Sequence, residues 1–289
     1  MAISSDVKFE RPWECRMPAF RVAGGLYFVG NTSGASWLLD TADGPVLFDT
    51  NYPTLAPQLL ESIREAGFRP ESIAAIFHTH GHYDHYGATA QIKALSGAVT
   101  YMSRADAQLL RQQPEMGLAH LGRHLFPEPP VTDVELEDED VITIGGVPIR
   151  CVACPGHTPG EMTFVDHQNR ILFSGDACNN NLGLGSRRGT PGFVSIERAG
   201  KYLRRLLEMK GKDFDCVYNS HHDYRGFGAP LADDVLACAV QCCEELVAGT
   251  ANIVDVPNPM DPTGKSLRTV AMRGKTMVSF NPEGILVNP

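Results

Sequence analysis

Short apolar runs, each closed by a turn signal, fill the first fifty positions: Leu26-Tyr27-Phe28-Val29 between Gly25 and Gly30, Trp37-Leu38-Leu39 before Asp40, and Val46-Leu47-Phe48 before Asp49. Runs of this length bounded by Gly, Pro and Asp predict strands, and Asp43-Gly44 predicts a hairpin turn between two of them. The period then changes. Leu55, Leu59, Leu60, Ile63 and Ala66 fall at helical spacing, with Gly67 and Pro70 to stop the helix. Strand and helix alternate again: Ser72 to Phe77 reads as a buried strand, Ala88 to Leu95 as a helix and Ala98 to Tyr101 as a strand. Ser103, with Asp106 three residues on, has the pattern of a capping box opening a helix to about Arg111.

From Gln112 to Pro130 the periodicity fails and prolines gather, which predicts a long connection of the kind that covers active sites. Val141 to Ile144 and Val147 to Val152 flank Gly145-Gly146 as a hairpin, and Arg170 to Ser174 reads as another strand. A Gly/Asn-rich stretch from Asn179 to Gly192 precedes a helix marked by Leu203, Leu206 and Leu207, a strand at Cys216-Val217-Tyr218, a helix over Leu231 to Leu246 and a last hairpin within Leu267 to Val287. Two successive blocks of alternating strand and helix predict an α/β chain with sheet layers covered by helices. No flexible linker interrupts the 289 residues, so a single domain is expected, with its core at about 25–246 and a C-terminal hairpin extension at 247–289.

Composition narrows the class. With 43% hydrophobic and 20% charged residues the chain can bury a sizeable core, which excludes disordered and collagen-like classes. A net charge of -9 without any run of Lys or Arg excludes nucleic acid as a natural partner and leaves a small molecule. Met1 to Pro18 has no signal-peptide pattern and no window reaches membrane-span length, so a cytoplasmic protein without membrane attachment is expected. A homo-oligomer stays open. The eight cysteines lie mostly in apolar runs and read as buried thiols, and Cys151 and Cys154 on one strand should face opposite sides rather than form a redox or zinc pair.

The chemistry is concentrated in His78-Thr79-His80-Gly81-His82-Tyr83-Asp84-His85, four imidazoles and a carboxylate directly after a buried strand. His80 and His82, two apart in extended chain, can grip one ion from one side, and Asp84 and His85 can face a second. A metal site needs further ligands from converging elements, and candidates stand at later strand ends: His157 in Cys154-Pro155-Gly156-His157-Thr158-Pro159-Gly160, Asp176 in Ser174-Gly175-Asp176, and His221 after Val217-Tyr218-Asn219-Ser220. Imidazole with carboxylate is a zinc-type donor set that iron and manganese also accept.

That set, in that order, resembles the metallo-β-lactamase superfamily over about Gly25 to Leu246. The resemblance implies a four-layer αβ/βα sandwich with the metals at one edge of two mixed sheets. It also implies two Zn²⁺ ions, with His80, His82 and His157 on one, Asp84, His85 and His221 on the other, and Asp176 bridging. Two such ions share a water, lower its pKa and polarise a scissile carbonyl, with Asp84 holding the proton of the nucleophile, so the implied activity is hydrolysis of an ester, thioester, lactone or amide. Asp176 departs from true β-lactamases, which carry Cys or Ser near this place. It matches glyoxalase II-type thioesterases and lactonases, which reduces β-lactam hydrolysis to a side activity. The rival from another class is a single-iron dioxygenase of the persulfide-dioxygenase kind, against which the complete second ligand set argues.

Around this motif the residues leave alternatives. His78 is a ligand or a hydrogen-bonded strand residue, and His221 is favoured over its neighbour His222. Asp49 either orients a ligand histidine or ends a strand. Tyr83 and Tyr86 line the pocket or pack, and Arg187 and Arg188 clamp a substrate carboxylate or form a surface pair. Phe126, Leu182 and Leu184, from the two aperiodic stretches, are expected to roof the pocket and select a small, partly apolar carbonyl substrate.

Overall fold

A computed structural model describes residues 5–118, 128–179, 181–184, 189–221, 229–258, 265–274 and 276–285. After an N-terminal helix α1 (Ser5–Glu10), seven strands form the first sheet in sequence order: β1 (Phe20–Ala23), β2 (Leu26–Phe28), β3 (Trp37–Leu39), β4 (Val46–Phe48), β5 (Ala75–Phe77), β6 (Val99–Ser103) and β7 (Val134–Leu136). The first four pair antiparallel, each with the next in the chain. From β4 onward the pairing is parallel, because α2 (Ala56–Glu65), the short α3 (Tyr83–Tyr86), α4 (Thr89–Ser96) and α5 (Arg104–Gln112) lie in the connections. The second sheet holds β8 (Val141–Ile144), β9 (Val147–Ala153), β10 (Met162–Asp166) and β11 (Ile171–Gly175). Beyond β12 (Asn181–Leu184), which leaves for a third sheet, and α6 (Ile196–Met209), β13 (Cys216–Asn219) returns to lie parallel to β11.

Alternation along strands buried on both faces builds the layers. Phe48, Phe77, Phe164 and Phe173 meet between the two sheets, whereas Leu47 and Ile76 point outward onto Leu59, Ile63 and Ile92 of the first helical layer. Val152, Val165 and Leu172 point the other way, onto Leu203 and Leu206 of α6 and Leu236 and Val240 of α7 (Ala229–Ala248). The result is the expected αβ/βα sandwich. Phe48 stacks on Phe173 with ring centroids 3.8 Å apart, and it also meets Phe77 at 5.6 Å and Phe164 at 5.7 Å. Cys151 faces the inter-sheet core and Cys154 the helix side, as the alternation requires, and all eight cysteines are free thiols. Among the described residues no helix is long and apolar enough to cross a membrane.

The tail differs from a lone hairpin. β14 (Ile253–Pro257), β15 (Leu267–Arg273) and β16 (Thr276–Phe280) form an antiparallel meander, and β12 adds to it in parallel beside β16. The stretch from Asn179 to Gly192 is therefore not all loop. Leu182 and Leu184 are buried in the core beneath α6 and α7, so they do not roof a pocket as the sequence suggested. The alternation of Leu182 and Leu184 was masked by flanking Gly and Asn. Strand β10 and helix α1 were also not evident from the pattern.

Phe48→Ala would remove the ring on which three others pack and should cost about 3–5 kcal/mol of unfolding free energy. Denaturant unfolding followed by far-UV circular dichroism checks this.

Candidate metal centre

Every candidate ligand leaves the C-terminal end of a strand: His80 and His82 follow β5, Asp84 and His85 sit on α3, and His157, Asp176 and His221 follow β9, β11 and β13. Three of the four strands run parallel to a neighbour within their sheets, so residues far apart in sequence meet at one edge. The turn after β11 demands glycine. Gly175 has φ +55°, and a Cβ there would lie 2.5 Å from the Cβ of Thr79.

Two clusters result. In the first, His82 Nδ1 lies 2.9 Å from His80 Nε2 and 3.0 Å from His157 Nε2. Surrounding hydrogen bonds fix the tautomers. His157 Nδ1 donates to the carbonyl of Gly183 at 3.0 Å. Thr79 Oγ1 already donates to Asp49, so at 3.1 Å it can only accept from His80 Nδ1. Both Nε2 lone pairs are thereby turned on His82. Burial, reinforced by the neighbouring imidazoles, pushes His80 well below its ordinary pKa and His82 down to about 3. Imidazoles that converge in this way, those of His80 and His157 with their outer nitrogens already engaged, are metal donors.

In the second cluster His85 Nε2 and His221 Nε2 face each other at 3.2 Å. Their outer nitrogens are taken up, His85 Nδ1 by Asp49 Oδ2 at 2.8 Å and His221 Nδ1 by the carbonyl of Ser33 at 3.2 Å. Asp84 Oδ2 lies 3.3 Å from His221 Nε2 and 3.9 Å from His85 Nε2. Here carboxylates outweigh burial. Burial disfavours the His85 cation, yet Asp49 and Asp84 raise its pKa to about 10, and Asp176 and Asp84 raise that of His221. Two imidazole nitrogens at this separation cannot both present bare lone pairs to each other, so either a proton or a cation belongs between them.

Asp176 stands between the clusters. Its Oδ2 is 3.4 Å from His157 Nε2, and its Oδ1 is 3.5 Å from His221 Nε2 and 3.8 Å from His85 Nε2. Oδ1 is buried without a hydrogen-bond partner. Burial opposes the charge of Asp176, but His221, His85 and His157 hold its carboxyl below the usual range. An orphaned, ionised oxygen beside converging lone pairs fits a metal ion, and three sets of donor atoms gather within 4.8 Å: His80, His82 and His157; His80, His85 and Asp176; Asp84, His85 and His221.

Several supporting residues escaped the sequence reading. Asp106 was expected to complete a capping box. Ser103 does accept from the Asp106 N–H, but the Asp106 carboxylate turns inward and accepts from Gly81 N at 2.8 Å, Thr158 Oγ1 at 2.7 Å and Gly160 N at 2.7 Å. It ties the histidine motif to the Pro-Gly-His-Thr-Pro-Gly turn. Glu161, fully buried, accepts from Asp176 N at 2.8 Å, and burial pushes its carboxyl well up. His78 faces away from the clusters and bonds to Tyr101 O and Thr89 Oγ1. Asp49 orients His85. Tyr83 is buried against Phe9 and Tyr52. Phe126, Arg187, Arg188 and His222 lie outside the described residues.

A cavity of about 60 Å³ opens beside His82 and His157. Leu109 and Leu110 of α5 and Pro159 line it, with Met116 and Pro191 contributed by the two aperiodic stretches.

The family model of the metallo-beta-lactamase superfamily matches residues 29–222. An uncharacterized protein of Aquifex aeolicus is 34% identical over 61% of this chain and 79% of its own length. A hydroxyacylglutathione hydrolase of Cereibacter sphaeroides is 27% identical over 61% of this chain, and the match spans 58% of that enzyme. The human mitochondrial persulfide dioxygenase is 26% identical over 74% of this chain and 73% of its own. Among solved structures, a metallo-β-lactamase of Cronobacter sakazakii superposes with TM-score 0.64 at 26% identity, covering 83% of this chain and 98% of that one.

A cation entering between His85 and His221 must displace the proton they hold. Zinc binding to the metal-free protein at pH 7 should therefore release protons, and affinity should rise from pH 6 to 9 by roughly tenfold per pH unit for each proton displaced. Calorimetry in buffers of different ionisation enthalpy measures this directly.

Proposed function

The chain belongs to the metallo-β-lactamase superfamily and is a metallo-hydrolase of it, and from that premise we propose that it uses two divalent ions to hydrolyse an ester, thioester, lactone or amide of a small molecule. His80, His82 and His157 would hold one ion, Asp84, His85 and His221 the other, and Asp176 both. The observation that carries this reading is Asp176, whose two oxygens turn to different clusters while Oδ1 lacks any other partner. Zinc suits the donor set, with iron or manganese as alternatives.

Bound ions of this kind supply a hydroxide nucleophile at neutral pH and polarise the carbonyl under attack. The protein's own groups do the rest. Asp84, whose carboxyl is held well below the usual range against the cost of burial by His85 and His221, stays ionised and accepts a hydrogen bond from the nucleophile, orienting it. The Asp49 and Asp106 carboxylates keep both clusters from relaxing between turnovers. The cavity beside His157 takes a compact apolar group of the substrate and strips water from it.

An acyl thioester, ester or lactone is favoured over a β-lactam, because Asp176 stands where lactamases carry Cys or Ser and because named relatives hydrolyse hydroxyacylglutathione. A second reading, a single-iron dioxygenase, is supported by the match to the persulfide dioxygenase. Metal content separates the two.

Elemental analysis of the metal-replete protein should give two ions per chain. His221→Ala should retain one and lose activity by more than about 100-fold, a loss larger than that of removing a residue that merely supports a ligand. One ion per chain at full activity would refute the dinuclear reading. Leu109→Ala should enlarge the apolar cavity and raise kcat/KM for acyl groups one or two carbons longer by roughly 10-fold. A series of acyl thioesters of increasing chain length tests it.

A further inference from the structure

Asp84 is the most exposed of the three carboxylates around the clusters: its side chain is 18% accessible, against 10% for Asp176 and 2% for Asp49. It sits on a helix of only four residues. A carboxylate so placed can rotate to solvent unless something holds it.

The holding group comes from outside the ligand motifs. Tyr52, 4% exposed, directs its hydroxyl at Asp84 Oδ2 at 3.3 Å, and Lys8 Nζ on α1 reaches the same hydroxyl at 2.8 Å. The direction of these bonds is fixed by chemistry. An ammonium has only donors, so the phenol oxygen accepts from Lys8 and its single proton is left to point at Asp84. Lys8 Nζ also lies 4.7 Å from the Tyr52 ring centroid, and Phe9 and Tyr83 pack edge-on to that ring at 5.8 and 5.4 Å. The ring therefore has one position, and its hydroxyl one orientation.

We propose that Tyr52 is a positioning residue that locks the Asp84 carboxylate towards His221 and His85, with Lys8 of the N-terminal helix setting the direction of its hydroxyl proton. The consequence is selective: among the described residues the Tyr52 hydroxyl bonds to no candidate ligand but Asp84, so it governs the affinity of the second ion and leaves the first alone. The N-terminal helix, which precedes the matched family region, thereby becomes part of the metal centre. This inference rests on the two-ion reading above.

The test is stepwise titration of the metal-free protein with Co²⁺, read by its visible absorption and by chelator competition, for wild type, Tyr52→Phe and Lys8→Met/Tyr52→Phe. Phenylalanine keeps the ring packing and removes only the hydroxyl. The second dissociation constant should weaken by about 10- to 100-fold in Tyr52→Phe, while the first stays within about twofold. The double variant should be equally weak. If it instead recovers wild-type affinity, a stranded Lys8 ammonium caused the loss and the positioning role is refuted. Two ions in wild type with an unchanged second constant in Tyr52→Phe would overturn this inference alone. One ion in wild type would overturn the two-ion reading and this inference with it. Circular dichroism of each variant confirms that the fold is retained.

Discussion

A single buried carboxylate, Asp49, holds the second cluster together. It accepts from the backbone N–H of Thr79 at 2.8 Å, from Thr79 Oγ1 at 2.8 Å, from His85 Nδ1 at 2.8 Å and from Ser220 Oγ at 2.9 Å. Those donors come from the end of β5, from α3 and from the end of β13, segments of both sheets. Burying an ionised carboxylate costs several kcal/mol unless its lone pairs are filled, and here four donors fill them. The four bonds form together only when the two sheets are in register, which makes the geometry of the second cluster a consequence of the fold. The backbone adds a small cost of its own: Asp49 sits at φ +58°, a conformation that Asp tolerates better than most residues.

Asp106 does the corresponding work on the other side. It joins the loop carrying His80 and His82 to the turn carrying His157, and its three donors include two backbone N–H groups that the turns leave unpaired. Gly160 belongs to this arrangement, since a Cβ there would lie 2.5 Å from Asp106 N. Asp49 follows β4 and Asp106 follows β6, the two strands that flank β5, so the histidine motif that leaves β5 lies between them. Anchoring each loop by a charged residue from a rigid element gives imidazoles whose tautomers are set before any cation arrives.

The third sheet has a similar part. By recruiting β12, the C-terminal meander fixes the carbonyl of Gly183 that receives His157 Nδ1–H, so a segment beyond the matched family region reaches a candidate ligand through one backbone hydrogen bond. The N-terminal helix reaches the other cluster through Lys8 and Tyr52. Both ends of the chain thus close on the same edge of the sandwich.

The sequence by itself determined the strand and helix alternation and the burial of strands on both faces, and it singled out the seven candidate donor residues, because hydrophobic period and ligand spacing are local properties. Within the run from His78 to His85, and in the turn around His157, the chemistry is legible without coordinates. Which group orients which was decided only by tertiary structure. Asp106 carries a local signal, the helix cap, that describes its backbone correctly and says nothing of its carboxylate. Glu161 and Tyr52 carry no local signal, since their partners Asp176 and Asp84 lie 15 and 32 residues away. Leu182 and Leu184 looked like loop residues because glycine and asparagine surround them, and parallel pairing with β16 turns them into core. Strand periodicity is written in the chain one residue after another. Hydrogen-bond partners across a parallel sheet edge are set by which strands become neighbours, and that depends on the packing of the whole molecule.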